Sequence, residues 1–152
     1  MKNPKQQEKN KSLKMKPWEN KKMPPFNNHL GFVVEQWRKD NIKISAELKP
    51  EHLNHSGIPH GGFISALLDA ATALSGTYSD DPLYYKKALT LSLNINYLGQ
   101  AQSNKLYAIG RVTASGKNIY YGAGDVYDSF DNLIASGQGV FRYRKDSSNA
   151  NV

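Results

Sequence analysis

Asn54-His55-Ser56-Gly57-Ile58-Pro59-His60-Gly61-Gly62 runs directly into Phe63-Ile64-Ser65-Ala66-Leu67-Leu68-Asp69-Ala70-Ala71, and this junction decides how the rest of the chain reads. Asn54, Ser56, Gly57 and Pro59 mark residues 51–59 as a loop. From residue 61 to about residue 78, Phe63, Ala66, Leu67, Ala70, Ala71 and Leu74 recur at the spacing of one helical face. Several of these are alanines, so another layer can approach this helix closely. Asp80-Asp81-Pro82 ends any continuation.

On either side of the helix the period changes from 3.6 to 2. Upstream, residues 31–38 are apolar, with Phe32, Val33, Val34 and Trp37, and residues 41–49 alternate with Ile42, Ile44, Ala46 and Leu48 on one face. Downstream, Leu89, Leu91, Leu93, Ile95 and Tyr97 alternate strictly with Thr90, Ser92, Asn94 and Asn96, the cleanest strand pattern in the chain. Residues 106–113, 119–127 and 133–143 follow as strands, separated by turns at 115–118 and 129–132. The order is two strands, a helix and four strands. One helix cannot cover both faces of such a sheet, so an α+β fold is expected in which a curved antiparallel sheet wraps one long helix.

The length of 152 residues corresponds to one domain. A net charge of +7 invites a nucleic-acid reading, but its distribution argues against one. Residues 1–25 hold eight Lys and two Glu, whereas the remainder holds twelve basic and eleven acidic residues. Residues 1–24 are therefore expected to be a solvated, disordered basic tail that joins no core, residues 25–145 the folded domain, and residues 146–152 a polar C-terminal tail. The prolines at 24 and 25 are expected to stop any helix there. With no cysteine there is no disulfide, no thiolate metal site and no Cys nucleophile. No secretory signal pattern and no run long enough to span a bilayer are present, so a cytoplasmic protein without stable membrane insertion is expected. His52, His55 and His60 lack a metal-binding spacing, and no metal or separate cofactor is expected.

Paired glycines at a helix start let a substrate oxygen approach bare N–H groups that have no partner within the helix and lie at its positive end. Gly61 and Gly62 thus form a candidate oxyanion hole. Asp69 lies seven residues beyond Gly62, on the same side of the helix and flanked by Ala66 and Ala73, an unusual place for a carboxylate unless it faces a cleft. Seven residues of helix span roughly 10 Å, too far for both groups to act on one carbonyl. An antiparallel helix from a two-fold partner would bring its Asp69 to these glycines, which favours a homodimer with shared sites.

The pattern Asn-x5-His-Gly-Gly-x6-Asp, opening a helix after a strand, resembles the PaaI-type acyl-coenzyme A (acyl-CoA) thioesterases of the hotdog superfamily. The resemblance runs over roughly residues 25–143, including the strand from Thr90 and the Gly116-Lys117 turn. It implies a hotdog fold and hydrolysis of an acyl- or aryl-acyl-CoA, in a dimer or a dimer of dimers. It implies that Asp69 is the general base or nucleophile and that Gly61, with Gly62 beside it, is the backbone donor to the thioester carbonyl. By the same resemblance His60 steadies the thioester end, Asn54 orients substrate or water, and Thr90 holds the attacking water. Gly116, Lys117 and Asn118 fall where the nucleotide phosphates of CoA are met. The loop at residues 98–104 departs from the family pattern, which bears on selectivity. Two alternatives stand beside this reading: a non-catalytic acyl-CoA-binding hotdog protein, and a dehydratase pairing His60 with Asp69.

Overall fold

The computed structural model describes Lys16, Trp18, Glu19 and residues 21–145. The order of elements is α1 (Pro25–His29), β1 (Val33–Arg38), β2 (Asn41–Glu47), a 3-10 turn at Pro50–His52, α2 (Gly61–Ser75), β3 (Ala88–Tyr97), β4 (Lys105–Ser115), β5 (Ile119–Asp128) and β6 (Leu133–Tyr143). The six strands form one antiparallel sheet in the order β1-β2-β4-β5-β6-β3. The sheet curves around α2, which packs against β2 to β6, as the change of period implies. This is the hotdog arrangement. Among the described residues, no helix is long and apolar enough to cross a membrane.

Small residues set the distance between the layers. A Cβ at Gly110 would fall 2.1 Å from the Ala71 carbonyl oxygen, and one at Gly124 would meet Thr72 and Leu68 at 2.9 and 3.1 Å. Glycine in β4 and β5 and alanine in α2 therefore let helix and sheet approach almost backbone to backbone. Phe63, Ile64, Leu67, Leu68, Ala71 and Leu74 fill the core from the helix, against Trp37, Ile42, Ile44, Leu106, Ala108, Val126 and Ile134. The carbonyls at the C-terminal end of α2 have few partners within the helix and take further donors from the sheet. The Trp37 indole donates to Leu74 O at 3.0 Å, the Tyr143 hydroxyl to Gly76 O at 2.8 Å, and the Tyr120 hydroxyl to Ala73 O.

Three expectations are corrected. Pro24 and Pro25 open a short helix instead of stopping one: Pro24 is the N-cap of α1 and Pro25 its first residue, where a missing N–H costs nothing. The folded unit also begins before residue 25. Lys21 is only 4% exposed, and Trp18 and Met23 pack on the core. The Lys21 ammonium donates to the carbonyls of Ser79, Asp81 and Tyr84 at 2.9, 2.5 and 2.6 Å and lies over the rings of Trp37 and Tyr78. The expected disorder of residues 1–15 and the C-terminal tail at 146–152 lie outside the described residues. The third correction concerns β3. It is a strand as expected, but an edge strand, and its apolar alternation exceeds what the chain buries: Leu89 is 55% and Leu91 54% exposed.

Candidate active site

The loop before α2 is built by Asn54. Its side-chain oxygen accepts from the N–H groups of Ser56 and Ile58 at 2.9 and 3.3 Å, and Asn54 N donates to Ile58 O at 2.8 Å. Gly57 sits at φ +73° inside this loop, a backbone region that favours glycine. Asn54 thus shapes the loop that leads to the helix, and within this chain its oxygen is occupied by that task.

His60 is the N-cap of α2. Its Nδ1 accepts the Gly62 N–H at 2.8 Å, which leaves Nε2 to carry the proton of the neutral imidazole. This bond separates the two glycines that the sequence treats alike. The Gly62 N–H is already committed, and a Cβ there would press on the imidazole at 3.0 Å, so Gly62 is accounted for by the cap. The Gly61 N–H meets no acceptor among the described residues. A Cβ at Gly61 would meet only the Tyr97 ring, at an ordinary 3.6–3.8 Å. Packing within the chain therefore does not require glycine at 61, whereas a ligand approaching a bare amide would.

Asp69 lies half-buried in the middle of α2. The Thr90 hydroxyl, from β3, donates to its Oδ1 at 2.9 Å. Burial pushes the Asp69 carboxyl above its ordinary range, and the Thr90 hydrogen bond offsets part of this. No described lysine or arginine forms an ion pair with it. Asp128 is a useful contrast. It is fully buried, but Gln102 N, Phe130 N, Asn132 N and Asn132 Nδ2 all donate to it at 2.9–3.0 Å. Burial opposes ionisation there too, yet those bonds hold its carboxyl below the usual range. Asp128 is what a structural buried carboxylate looks like in this protein, and Asp69 does not share its design.

Gly61 and Asp69 are eight residues apart on an unbroken helix, about 12 Å along its axis. One chain therefore does not bring them together. At the other end of α2, Gly116 and Lys117 border a cavity of about 450 Å³ with Lys39, Lys86, Tyr78 and Tyr143. Asn118 does not line it; its carbonyl accepts from Tyr143 N at 2.9 Å. The sequence reading missed Lys39 and Lys86, which come from the β1–β2 turn and the segment before β3. It also missed Tyr97, whose hydroxyl reaches Gly61 O, although Tyr97 closes the alternation of β3.

Comparison with known proteins identifies the family of this fold. The description "Thioesterase superfamily" matches residues 56–135, more than half of the chain. A protein of Archaeoglobus fulgidus named "Putative esterase" is 32% identical over 115 residues, covering 74% of this chain and 71% of that one. The phenylacetic acid degradation protein PaaI of Thermus thermophilus, solved as a mutant, shares the fold with a TM-score of 0.67 at 23% identity, over 78% of this chain and 98% of that one. A hypothetical thioesterase of Streptococcus pneumoniae, solved with coenzyme A, gives 0.66 at 19% identity, over 75% and 86%. With the hotdog arrangement in place and more than half the chain matched, this chain belongs to the thioesterase superfamily.

Proposed function

We propose that the protein hydrolyses acyl-CoA thioesters, with Asp69 activating the water. The observation that carries this reading is the state of Asp69: a half-buried carboxylate with, among the described residues, one hydroxyl donor and no cation, its pKa raised towards the range useful to a base. A packing role would call for donors like those of Asp128. Asp69 Oδ2 is left for a water molecule, while Thr90 holds Oδ1.

The two reacting groups come from two copies of the chain. The free edge of β3 supports this. It is ten residues long, leaves Leu89, Leu91 and Tyr97 exposed and, among the described residues, pairs only with β6, the kind of edge that natural proteins cover. A second copy paired there about a two-fold axis lays the two α2 helices side by side, so that Asp69 of one faces Gly61 of the other. Four chains as a dimer of dimers are compatible with the same pairing. In each site the Gly61 N–H receives the thioester oxygen at the positive end of α2, and His60 presents its Nε2 proton beside it. Water gives a proton to Asp69 as its oxygen bonds to the carbonyl carbon. The C–S bond then breaks, and the thiolate leaves as CoA on taking up that proton. Alternatively the carboxylate itself attacks, and water cleaves the resulting anhydride.

The CoA end is assigned to the cavity at the far end of α2. Lys39, Lys86 and Lys117 converge there from three segments, with Asp40 as the one acid among them. Gly76, where α2 ends, is seven residues or about 10 Å beyond Asp69, a distance that an extended pantetheine arm covers. The neighbour solved with CoA is consistent with this ligand class.

The test is thiol release across a panel of short-, medium- and aryl-acyl-CoA substrates, for wild type and Asp69→Asn. Turnover by wild type and a loss of about 10²-fold or more in the variant are expected. Equal rates for the two proteins would remove Asp69 from the chemistry. Tight CoA-ester binding without release by wild type would favour the non-catalytic binder.

A further inference from the structure

The first two residues of α2 present a conflict. Glycine leaves the amide bare, but it is also the residue with the most backbone freedom. An oxyanion donor is effective only when its N–H is already aimed before the reaction. Side chains outside the glycine pair remove this freedom. The peptide before Gly61 is held by its carbonyl, His60 O, which accepts from Phe63 N at 2.9 Å and Ile64 N at 3.2 Å. The peptide after Gly61 is held at both ends. Its N–H, on Gly62, is bound by His60 Nδ1. Its carbonyl, Gly61 O, is met by two hydroxyls: Ser65 Oγ at 2.9 Å and Tyr97 Oη at 3.2 Å, with the two hydroxyl oxygens 2.5 Å apart.

We propose that Tyr97 and Ser65 are positioning residues that clamp the Gly61–Gly62 peptide from β3 and from the next turn of α2, and thereby aim the Gly61 amide. This rests on the reading of Gly61 as the oxyanion donor. Each hydroxyl carries one proton, so a consistent arrangement is Tyr97 donating to Ser65 Oγ and Ser65 donating to Gly61 O. In such a chain each bond strengthens the next. The core does not explain Tyr97. Its side chain is 54% exposed and does not belong to the apolar cluster, and its ring lies along Gly61 where a Cβ would point. Ser65 alone would bond back to Gly61 within the helix. Tyr97 adds a tie from another element, so the amide is fixed relative to β3, the strand that also carries Thr90 to Asp69.

The test uses the full chain with Tyr97→Phe, Ser65→Ala and both together. Tyr97→Phe keeps the ring and the fold. Two readouts are taken: kcat and KM for the best acyl-CoA substrate, and the order and exchange of the Gly61 amide by NMR after glycine-selective nitrogen-15 labelling. Each single variant is expected to lower kcat by about 3- to 10-fold, the loss of one hydrogen bond, with KM unchanged. The double variant should lose less than the product of the two singles, because the hydroxyls act in one chain. The Gly61 amide should become less ordered in each. An amide as ordered as in wild type overturns the clamp, as does a loosened amide with unchanged kcat. Absence of thiol release by wild type defeats the thioesterase reading instead, and the clamp is then judged on the amide alone.

Discussion

Thr90 Oγ1 donates to Asp69 Oδ1 at 2.9 Å, joining the edge strand β3 to the middle of α2 across 21 residues of sequence. The bond leaves the second carboxylate oxygen unclaimed by the described residues and ties the acid to the strand where a second chain is proposed to join. It also opposes the rise in pKa that burial imposes on Asp69.

This relationship predicts the pH dependence. The working form of Asp69 is the carboxylate, so activity is lost as pH falls through its pKa in the folded protein. That pKa is raised, so the acid limb of kcat/KM should lie above the ordinary aspartate value of about 3.9. Thr90→Val removes the hydrogen bond that lowers it, and the limb should move to higher pH. A limb that stays in place or moves down would separate Thr90 from Asp69 in function. The sign for stability is the reverse of the usual aspartate. Ionising Asp69 is harder in the folded state, so its contribution falls as pH rises from the unfolded pKa to the folded one. At pH 7 the thermal midpoint of Asp69→Asn should equal or exceed that of wild type.

The length of α2 predicts complementation between chains. Asp69→Ala removes the carboxylate, and Gly61→Pro removes the oxyanion N–H at a helix position that tolerates proline. Each variant alone should be inactive or nearly so. Unfolding and refolding an equimolar mixture should restore up to about a quarter of wild-type activity, since half the dimers are mixed and each has one intact site of two. Confirmed mixed dimers without recovered turnover would place both groups in one chain.

Lys21 should contribute to stability although it lies in the basic N-terminal region. Lys21→Met leaves three carbonyls without their donor and should destabilise by about 2 kcal/mol, the range for hydrogen bonds to a charged group. The melting midpoint should drop by about 5 °C. Deleting residues 1–22 should do the same, which reverses the expectation that this tail joins no core. Truncation with no change in the melting curve would show that the cage of Trp37, Tyr78 and the 79–84 carbonyls is not needed for the folded unit.

Asp128→Ala should be more damaging, at about 3 kcal/mol or more, because it removes one buried carboxylate that accepts four N–H bonds from two loops. Its carboxyl is held low in the folded state, so its stabilisation is present above the unfolded pKa and is lost as pH falls through the folded one. Chemical denaturation of wild type and variant should therefore converge at acid pH. A gap that persists below pH 2 would mean that packing, and not the charge, carries the effect.

Periodicity determines α2 and the six strands of this protein, but not the short helix α1. The change of period marks where α2 begins at residue 61 and where the second run of strands begins at residue 88, and the rise of a helix places Asp69 out of reach of its own chain's glycines. The Gly-Gly doublet and the intrahelical acid were legible because both lie on one regular element, where spacing is geometry. The tertiary structure decided what depends on contacts between elements. It made β3 an edge, although its alternation reads like any half-buried strand, because strand order is set by non-local pairing. It split Gly61 from Gly62 through the rotamer of His60. It brought Tyr97 to Gly61 O, and Lys21 to Ser79, Asp81 and Tyr84, through backbone carbonyls. Every residue carries such a carbonyl, so no pattern of side chains announces which one a distant hydroxyl or ammonium will find.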